Sequence, residues 1–354
     1  MWLNEFEPIR AFGLNGIKRQ MKEKKRIFGY DAIKVLAAFL VVLYHTGMLD
    51  VGYREGVYYY PNLTQLLRLF CACGVPLFFM VNGALTVRKG YDIKKTAVKA
   101  ARSIFVGFFW GLVMQIVMAI RYHDWAGFSP INSYYWFMYT LAILYVVSFI
   151  LGKLPVWCRW CTVAVLLIFP FATNLAWDII ILRDPSAIMP KWGHVGFFTL
   201  YSVVYLYLGD YLRHDSKHVN KWLMILPAVI GLGLLVIEAI AVTNYSHEPF
   251  DSGNYCFPTL GALLLTVALF VWVKDIHMKE GWLKRYISFL ADNSLGIYMF
   301  HLLLLATAGT LFPQIRGLQL HPLVVALIVL VNMTISASLS ELLRRTPLRF
   351  LLKL

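Results

Sequence analysis

The chain has 354 residues, of which 59% are hydrophobic and only 15% charged, whereas a soluble domain is nearer half apolar and a quarter charged. With a mean hydropathy of +0.64 and the apolar residues gathered in helix-length blocks, the composition excludes a soluble enzyme and an outer-membrane barrel of alternating strands. The net charge of +14 reads as a membrane-topology signal rather than as nucleic-acid binding, because of where the cations fall.

Ten apolar stretches follow one another at about 32–48, 70–88, 103–120, 133–151, 160–176, 193–212, 222–243, 255–273, 287–311 and 322–342. Each is long enough to span as a helix, which satisfies its own backbone polar groups in hydrocarbon. Pro170, Thr173 and Asn174 dilute the fifth. With both termini cytosolic, 27 of the 33 Lys and Arg residues lie on the inside and 6 on the outside, as the positive-inside rule requires. The expected architecture is all-α: a polytopic bundle of ten transmembrane helices (30–354) behind a basic cytosolic segment (1–29) that has no cleavage site of the secretory kind. The five cysteines are an odd number and suggest no disulfide framework. The sequence contains no phosphate-binding P-loop, zinc-protease or nucleophile-elbow motif, and no metal site is expected.

Ionisable residues within spans are expensive and mark function by default. The first span holds Asp31, Lys34 and His45. Eleven residues separate Lys34 from His45, which at 100° per residue returns the second to the face of the first, roughly 16 Å further along the axis. An interfacial anchor and a satisfied histidine would look the same in this span alone. Asn82 lies in the second span, between Pro76 and Gly83, and asks for a partner. Lys99 and Arg102 share one face at the start of the third span, at the cytosolic depth of Lys34, although a basic flank is also ordinary there. The fourth span opens on an external aromatic cluster that includes Trp136 and Tyr139, which suits either an interface belt or a sugar-stacking platform. Glu238 is a carboxylate in the outer half of the seventh span. In the ninth, Ser294, Tyr298 and His301 form one polar stripe, better suited to a hydrated cavity than to lipid.

Taken together, these residues resemble the acyltransferase-3 family of bacterial integral membrane acyltransferases, most of all the stand-alone ten-helix members of the enterobacterial common antigen acetyltransferase type. His45 matches the family's catalytic histidine, with Lys34 standing where the family has arginine and Asp31 matching the acid before it. Val75-Pro76-Leu77-Phe78-Phe79-Met80-Val81-Asn82-Gly83 is similar to the family's second-helix motif, with Asn82 in place of serine. Lys99-x-x-Arg102, Trp136-Phe137-Met138-Tyr139 and Ser294-x-x-Ile297-Tyr298-x-x-His301 follow in order.

The resemblance implies a membrane O-acyltransferase of the bacterial inner membrane. It would take an acyl group, acetyl by expectation, from cytosolic acyl-CoA to a hydroxyl of a surface glycan or lipid-linked sugar. His45 would be the general base, with Asp31 orienting Lys34. Lys34, Lys99 and Arg102 would hold the donor phosphates. Trp136, Tyr139, Asn82, Tyr298, His301 and Glu238 are the candidates for lining the substrate path. Two other classes compete: a proton-coupled or lipid-linked-glycan transporter, built from the same in-membrane His, Glu and Asp residues, and a membrane sensor or partner domain that would not need His45.

Overall fold

The computed structural model describes residues 26–46, 53–54, 57–58, 63–88, 92–123, 133–184, 200–215, 219–246, 257–311 and 322–352. They form thirteen α-helices: α1 (Phe28–His45), α2 (Leu63–Cys71), α3 (Gly74–Thr86), α4 (Ile93–Tyr122), α5 (Trp136–Lys153), α6 (Val156–Leu166), α7 (Thr173–Arg183), α8 (Leu200–His214), α9 (Ile225–Ser246), α10 (Leu260–Lys274), α11 (Trp282–Asp292), α12 (Ser294–Leu311) and α13 (Pro322–Arg344). The one sheet pairing among the described residues is a two-residue ladder of Tyr53–Arg54 with Val57–Tyr58.

Each of the ten apolar stretches contains helix within its described residues. Among the described residues, seven segments are long and apolar enough to cross a membrane, and eight if the bent pair α11–α12 counts as one. Helix α10 has 15 residues, below the roughly 20 that a full crossing takes, and α8 has 15 within the described residues. The chain is thus a multi-pass membrane protein. Large apolar side chains such as Ile104, Val165, Leu226 and Leu327 remain exposed on its outer surface, as expected of residues that face lipid rather than water.

Local chemistry sets the helix ends and breaks. The carboxylate of Asp92 accepts the Lys95 amide at 2.7 Å and caps α4, a bond that favours the charged form and lowers the acid's pKa. Pro76 has no N–H to offer the Ala72 carbonyl, and α2 gives way to α3 at this point, with Pro76 in the tolerant first turn. Pro170 has a different effect: the fifth stretch continues through a π-helical turn over Leu167–Ala172 and joins α6 to α7. The ninth stretch, expected as one span, bends by 77° between α11 and α12 at Asn293, whose side-chain amide donates to the Phe289 carbonyl at 3.0 Å.

Helix α1 runs through the middle of the bundle, against α3, α10, α11, α12 and α13. The closest crossing is that of α3 with α8, and it depends on two glycines. A Cβ on Gly83 would fall 1.7 Å from the Leu206 carbonyl oxygen, and one on Gly209 would fall 2.0 Å from that of Met80. Small residues at such crossings let backbones meet in the absence of a hydrophobic driving force. This contact fixes the C-terminal end of α3 beside that of α8, and so determines which charges face the start of α1.

Candidate functional site

Three cavities follow one another along α1. The first is a vestibule of about 710 Å³ at the start of the helix, lined by Arg26, Tyr30, Asp31, Lys34, Arg88 and Arg213 among others. The second is an inner chamber of about 240 Å³ that includes Lys34, Asn82, Lys99, Tyr145, Phe137 and Tyr298. The third is an outer chamber of about 250 Å³ that reaches Tyr44, His45, Cys71, Trp136, Phe137 and Tyr298. Lys34 and Leu85 line both the vestibule and the inner chamber. Phe137 and Tyr298 line both chambers. The face shared by Lys34 and His45 is therefore the wall of a path from one end of the bundle to the other.

Charge is concentrated in the vestibule. Arg26 pairs with Asp31, reaches Asp292 at 2.9 Å and donates to the Ser288 carbonyl at 3.0 Å, so it clamps the start of α1 to the end of α11. Arg88 donates to both carboxylate oxygens of Asp210, at 3.1 and 3.2 Å, and pairs with Asp215. Partial burial works against the Arg88 charge, but Asp215 and Asp210 outweigh it and raise the pKa further. Asp210 is fully buried and also meets His214 Nδ1 at 3.0 Å. Arg213 donates to the Ala84 carbonyl at 2.7 Å and lies 5.3 Å from the Tyr30 ring centre. These guanidinium groups are held in fixed positions around an open volume, the arrangement that suits recognition of phosphate or carboxylate groups.

The outer end combines imidazole with aromatic rings. His45 is exposed at the chamber wall, edge-on to Tyr44 with ring centres 4.7 Å apart. His301 lies behind it, fully buried, with its ring centre 5.2 Å from that of His45. Nδ1 of His301 faces the carbonyls of Ile297 at 3.1 Å and Tyr298 at 2.8 Å. Carbonyls only accept, so Nδ1 carries the proton and Nε2 is left as the lone-pair nitrogen. Nε2 is buried with no hydrogen-bond partner among the described residues. Trp136 and Phe257 form an aromatic wall, with centres 5.8 Å apart.

The residues singled out from sequence fall into four groups. Lys34, Asn82, Lys99, Trp136, Tyr298 and His45 line the path. Asn82 donates to the Phe78 carbonyl at 2.9 Å, and the Lys99 ammonium lies 5.1 Å from the Tyr145 ring centre. Asp31 lines the vestibule and is engaged by Arg26, with Ser288 at 3.5 Å. His301 stands behind the path. Arg102, Tyr139 and Glu238 are outside the residues that line these three cavities; Arg102 is exposed, Tyr139 half-buried and Glu238 fully buried in α9. Cys71 and Cys73 are free thiols, while Cys256, His194 and His247 lie outside the described residues. Sequence reasoning missed Arg88, Arg213 and Asp210. Asp210 carried a usable signal, an acid inside an apolar stretch, but Arg88 and Arg213 looked like ordinary flanking cations. No group of three or more His, Cys, Asp or Glu residues that would hold a metal occurs among the described residues.

A family model described as an acyltransferase domain matches residues 27–341. No curated protein and no solved structure matches the chain.

Proposed function

The chain belongs to that acyltransferase family and is a membrane acyltransferase, and from this premise we propose that it moves an acyl group, acetyl by first expectation, from cytosolic acyl-CoA to a hydroxyl of a surface glycan or lipid-linked sugar, in a bacterial inner membrane. The observation that carries the reading is the run of cavities between Lys34 and His45. Its cationic end suits the phosphates of coenzyme A, its narrow middle suits a pantetheine arm, and its aromatic end suits a sugar face. The roughly 16 Å between Lys34 and His45 along the helix is of the right order for that arm.

His45 acts as general base in this reading. A ring nitrogen takes the proton of the acceptor hydroxyl as its oxygen attacks the thioester carbonyl carbon. The tetrahedral intermediate collapses, the carbon–sulfur bond breaks, and the coenzyme A sulfur leaves with the proton returned by His45. The ester product remains in the outer chamber and the thiol in the inner one. Lys34, Lys99, Arg88 and Arg213 neutralise the donor head group. Asp31 acts at a distance, by holding Arg26 and the start of α1. Lysine at position 34 offers a point charge without the planar fork of arginine, so Arg213 supplies that fork.

The test is transfer of radiolabelled acetyl from acetyl-CoA to a glycan fraction by the purified protein in proteoliposomes. Labelled glycan from the wild type, and none from His45→Ala, is the expected result. No transfer by the wild type, together with movement of a labelled lipid-linked sugar across the bilayer, would favour the transporter reading instead.

A further inference from the structure

A fourth cavity, of about 520 Å³, lies beside the path just described, under the turn between α5 and α6. Its wall carries three cations, Arg88, Lys153 and Arg159, and one carboxylate, Asp215, which Arg88 already engages. The cations are fixed in position. Arg159 donates from Nε to the Leu154 carbonyl at 3.0 Å and from Nη2 to that of Gly152 at 3.3 Å, and so caps the end of α5. Lys153 Nζ rests 4.2 Å from the Phe149 ring centre. Arg88 is held by Asp210 from behind.

Ser148 supplies an independent observation. It lines the cavity and is buried at 4% exposure. A serine inside a helix ordinarily bonds back to the carbonyl one turn earlier. The Ser148 hydroxyl instead has no hydrogen-bond partner among the described residues. A buried hydroxyl left unsatisfied is costly, and a ligand oxygen would relieve that cost.

We propose that this cavity binds a phosphate-bearing head group, with Lys153 and Arg159 neutralising the phosphate and Ser148 donating to it. Arginine and lysine donors together with a hydroxyl meet the several acceptor oxygens of a phosphate. The volume exceeds that of a bare phosphate and accommodates the group attached to it. Two sources share this chemistry. One is the 3′-phosphonucleotide end of the acyl donor, since Thr86 lines both this cavity and the inner chamber; this source rests on the donor reading above. The other is an anionic phospholipid, because basic pockets between helices on the cytosolic side hold such head groups, and Val156 and Trp157 next to the cavity are exposed at 58% and 68%.

The test compares wild-type protein with Lys153→Gln/Arg159→Gln and with the milder Ser148→Ala. Coenzyme A and adenosine 3′,5′-bisphosphate are titrated in one arm, in nanodiscs of neutral phosphatidylcholine. In the other, phosphatidylglycerol retained from mixed-lipid nanodiscs is counted by native mass spectrometry. A tenfold or larger rise in Kd for both nucleotides in the double variant, and a smaller rise in Ser148→Ala, identifies the donor as the occupant. Unchanged nucleotide affinity with a tenfold loss of retained phosphatidylglycerol identifies the lipid. If monodisperse variants lose neither, the proposal is overturned. A wild type that binds no coenzyme A defeats the donor reading alone and leaves the lipid arm to decide this site.

Discussion

His45 and His301 face each other across α1 and α12 with ring centres 5.2 Å apart, one at the wall of the outer chamber and the other fully buried behind it. Subtracting the distance from each centre to its ring nitrogen leaves a gap of about 3 Å, within reach of a hydrogen bond after a small rotation. Because the Nδ1 proton of His301 is committed to the carbonyls of α12, its Nε2 is the atom free to accept from an N–H of His45. That would fix the tautomer of His45 and leave its other nitrogen as the base.

The first prediction follows from this pairing. His45→Ala should lower acyl transfer by about 10² to 10⁴, the range for a positioned general base. It should leave donor affinity and expression near wild type. His301→Leu should lower kcat by about tenfold or more with the donor KM unchanged, and His301→Gln, which can still accept, should recover part of that loss. The split between kcat and KM separates a positioning role from a packing one. Equal losses in His301→Leu and His301→Gln would remove His301 from the mechanism.

Donor binding gives the second prediction. A hydrogen bond to a charged group contributes about 1.5–3 kcal/mol, so Lys34→Ala or Arg213→Ala should each raise the Kd for coenzyme A by about 10- to 100-fold. The affinity should fall as salt is raised, since these cations border an open vestibule. Arg102→Ala should have a smaller effect than Lys99→Ala, because Lys99 lines the inner chamber and Arg102 is exposed outside it. Arg88→Lys is the appropriate change at that position; alanine would break the buried pair and leave Asp210 with only His214 beside it, and losing one partner of a buried pair costs about 3–5 kcal/mol. Isothermal titration against the variants in nanodiscs gives the order, and an Arg102→Ala effect equal to that of Lys99→Ala would contradict the path described.

The α3–α8 crossing supplies the third. Gly83→Ala and Gly209→Ala should each force the helices apart, because the new methyl meets backbone rather than a side chain that can move. Overpacking of this kind costs about 1–3 kcal/mol or more. The displacement would also shift Arg88 relative to Arg213. Gly233→Ala, where a Cβ has open space, is the control and should melt as wild type does. Thermal unfolding in detergent ranks the three, and a melting temperature for Gly83→Ala equal to the control would refute the close crossing.

How much of this was legible in the sequence depends on what each residue interacts with. The helices were legible because apolar block length and cation placement are properties of consecutive residues. The common face of Lys34 and His45 followed from helical geometry alone, since both sit on α1. Arg88, Arg213 and Asp210 were not recovered, because they converge only through the α3–α8 crossing, and no local spacing records which helix lies against which. Arg102 went the other way: three residues from Lys99, it appears to share that residue's face in a helical projection, yet only Lys99 turns into the chamber. The 77° bend at Asn293 falls on Asp292-Asn293-Ser294, a polar interruption of the ninth stretch that marks a weak point in the helix but does not record how far the helix turns there.

Sidedness gives the fourth prediction. Arg26, Lys34, Arg88 and Arg213, all assigned to the inside, line the vestibule at the start of α1, and the aromatic start of α5 lines the outer chamber at the far end of the path. In a background without Cys158 and Cys161, Lys94→Cys should react with an impermeant maleimide only from the cytosolic side. Tyr134→Cys should react only from the outside. Labelling of both from one side would break the ten-span topology with cytosolic termini.

The last prediction concerns Phe137 and Tyr298, whose rings separate the inner chamber from the outer one with centres 5.2 Å apart. Phe137 is backed by Phe79, stacked at 5.2 Å and fully buried, and by Phe78 at 5.9 Å, so it has no room to withdraw. Tyr298 is held by ring contacts with Tyr135 and His301, each at 5.8 Å, and by a 3.5 Å hydrogen bond to the Tyr134 carbonyl. For the thioester carbonyl to reach His45, the whole acyl chain must pass this pinch and share the outer chamber of about 250 Å³ with the acceptor. Each added methylene then meets a fixed volume, and discrimination of about 1–3 kcal/mol per group is the usual scale for such a pocket. The wild type should prefer acetyl-CoA to butyryl-CoA and octanoyl-CoA. Phe137→Ala should raise kcat/KM for the longer donors relative to acetyl by about tenfold or more, with Phe137→Leu intermediate. The measurement is the ratio across the three donors, which cancels any general loss of activity. If that ratio stayed at the wild-type value in variants that still transfer acetyl, chain length would have to be set elsewhere, and the pinch would be a packing contact between α5 and α12.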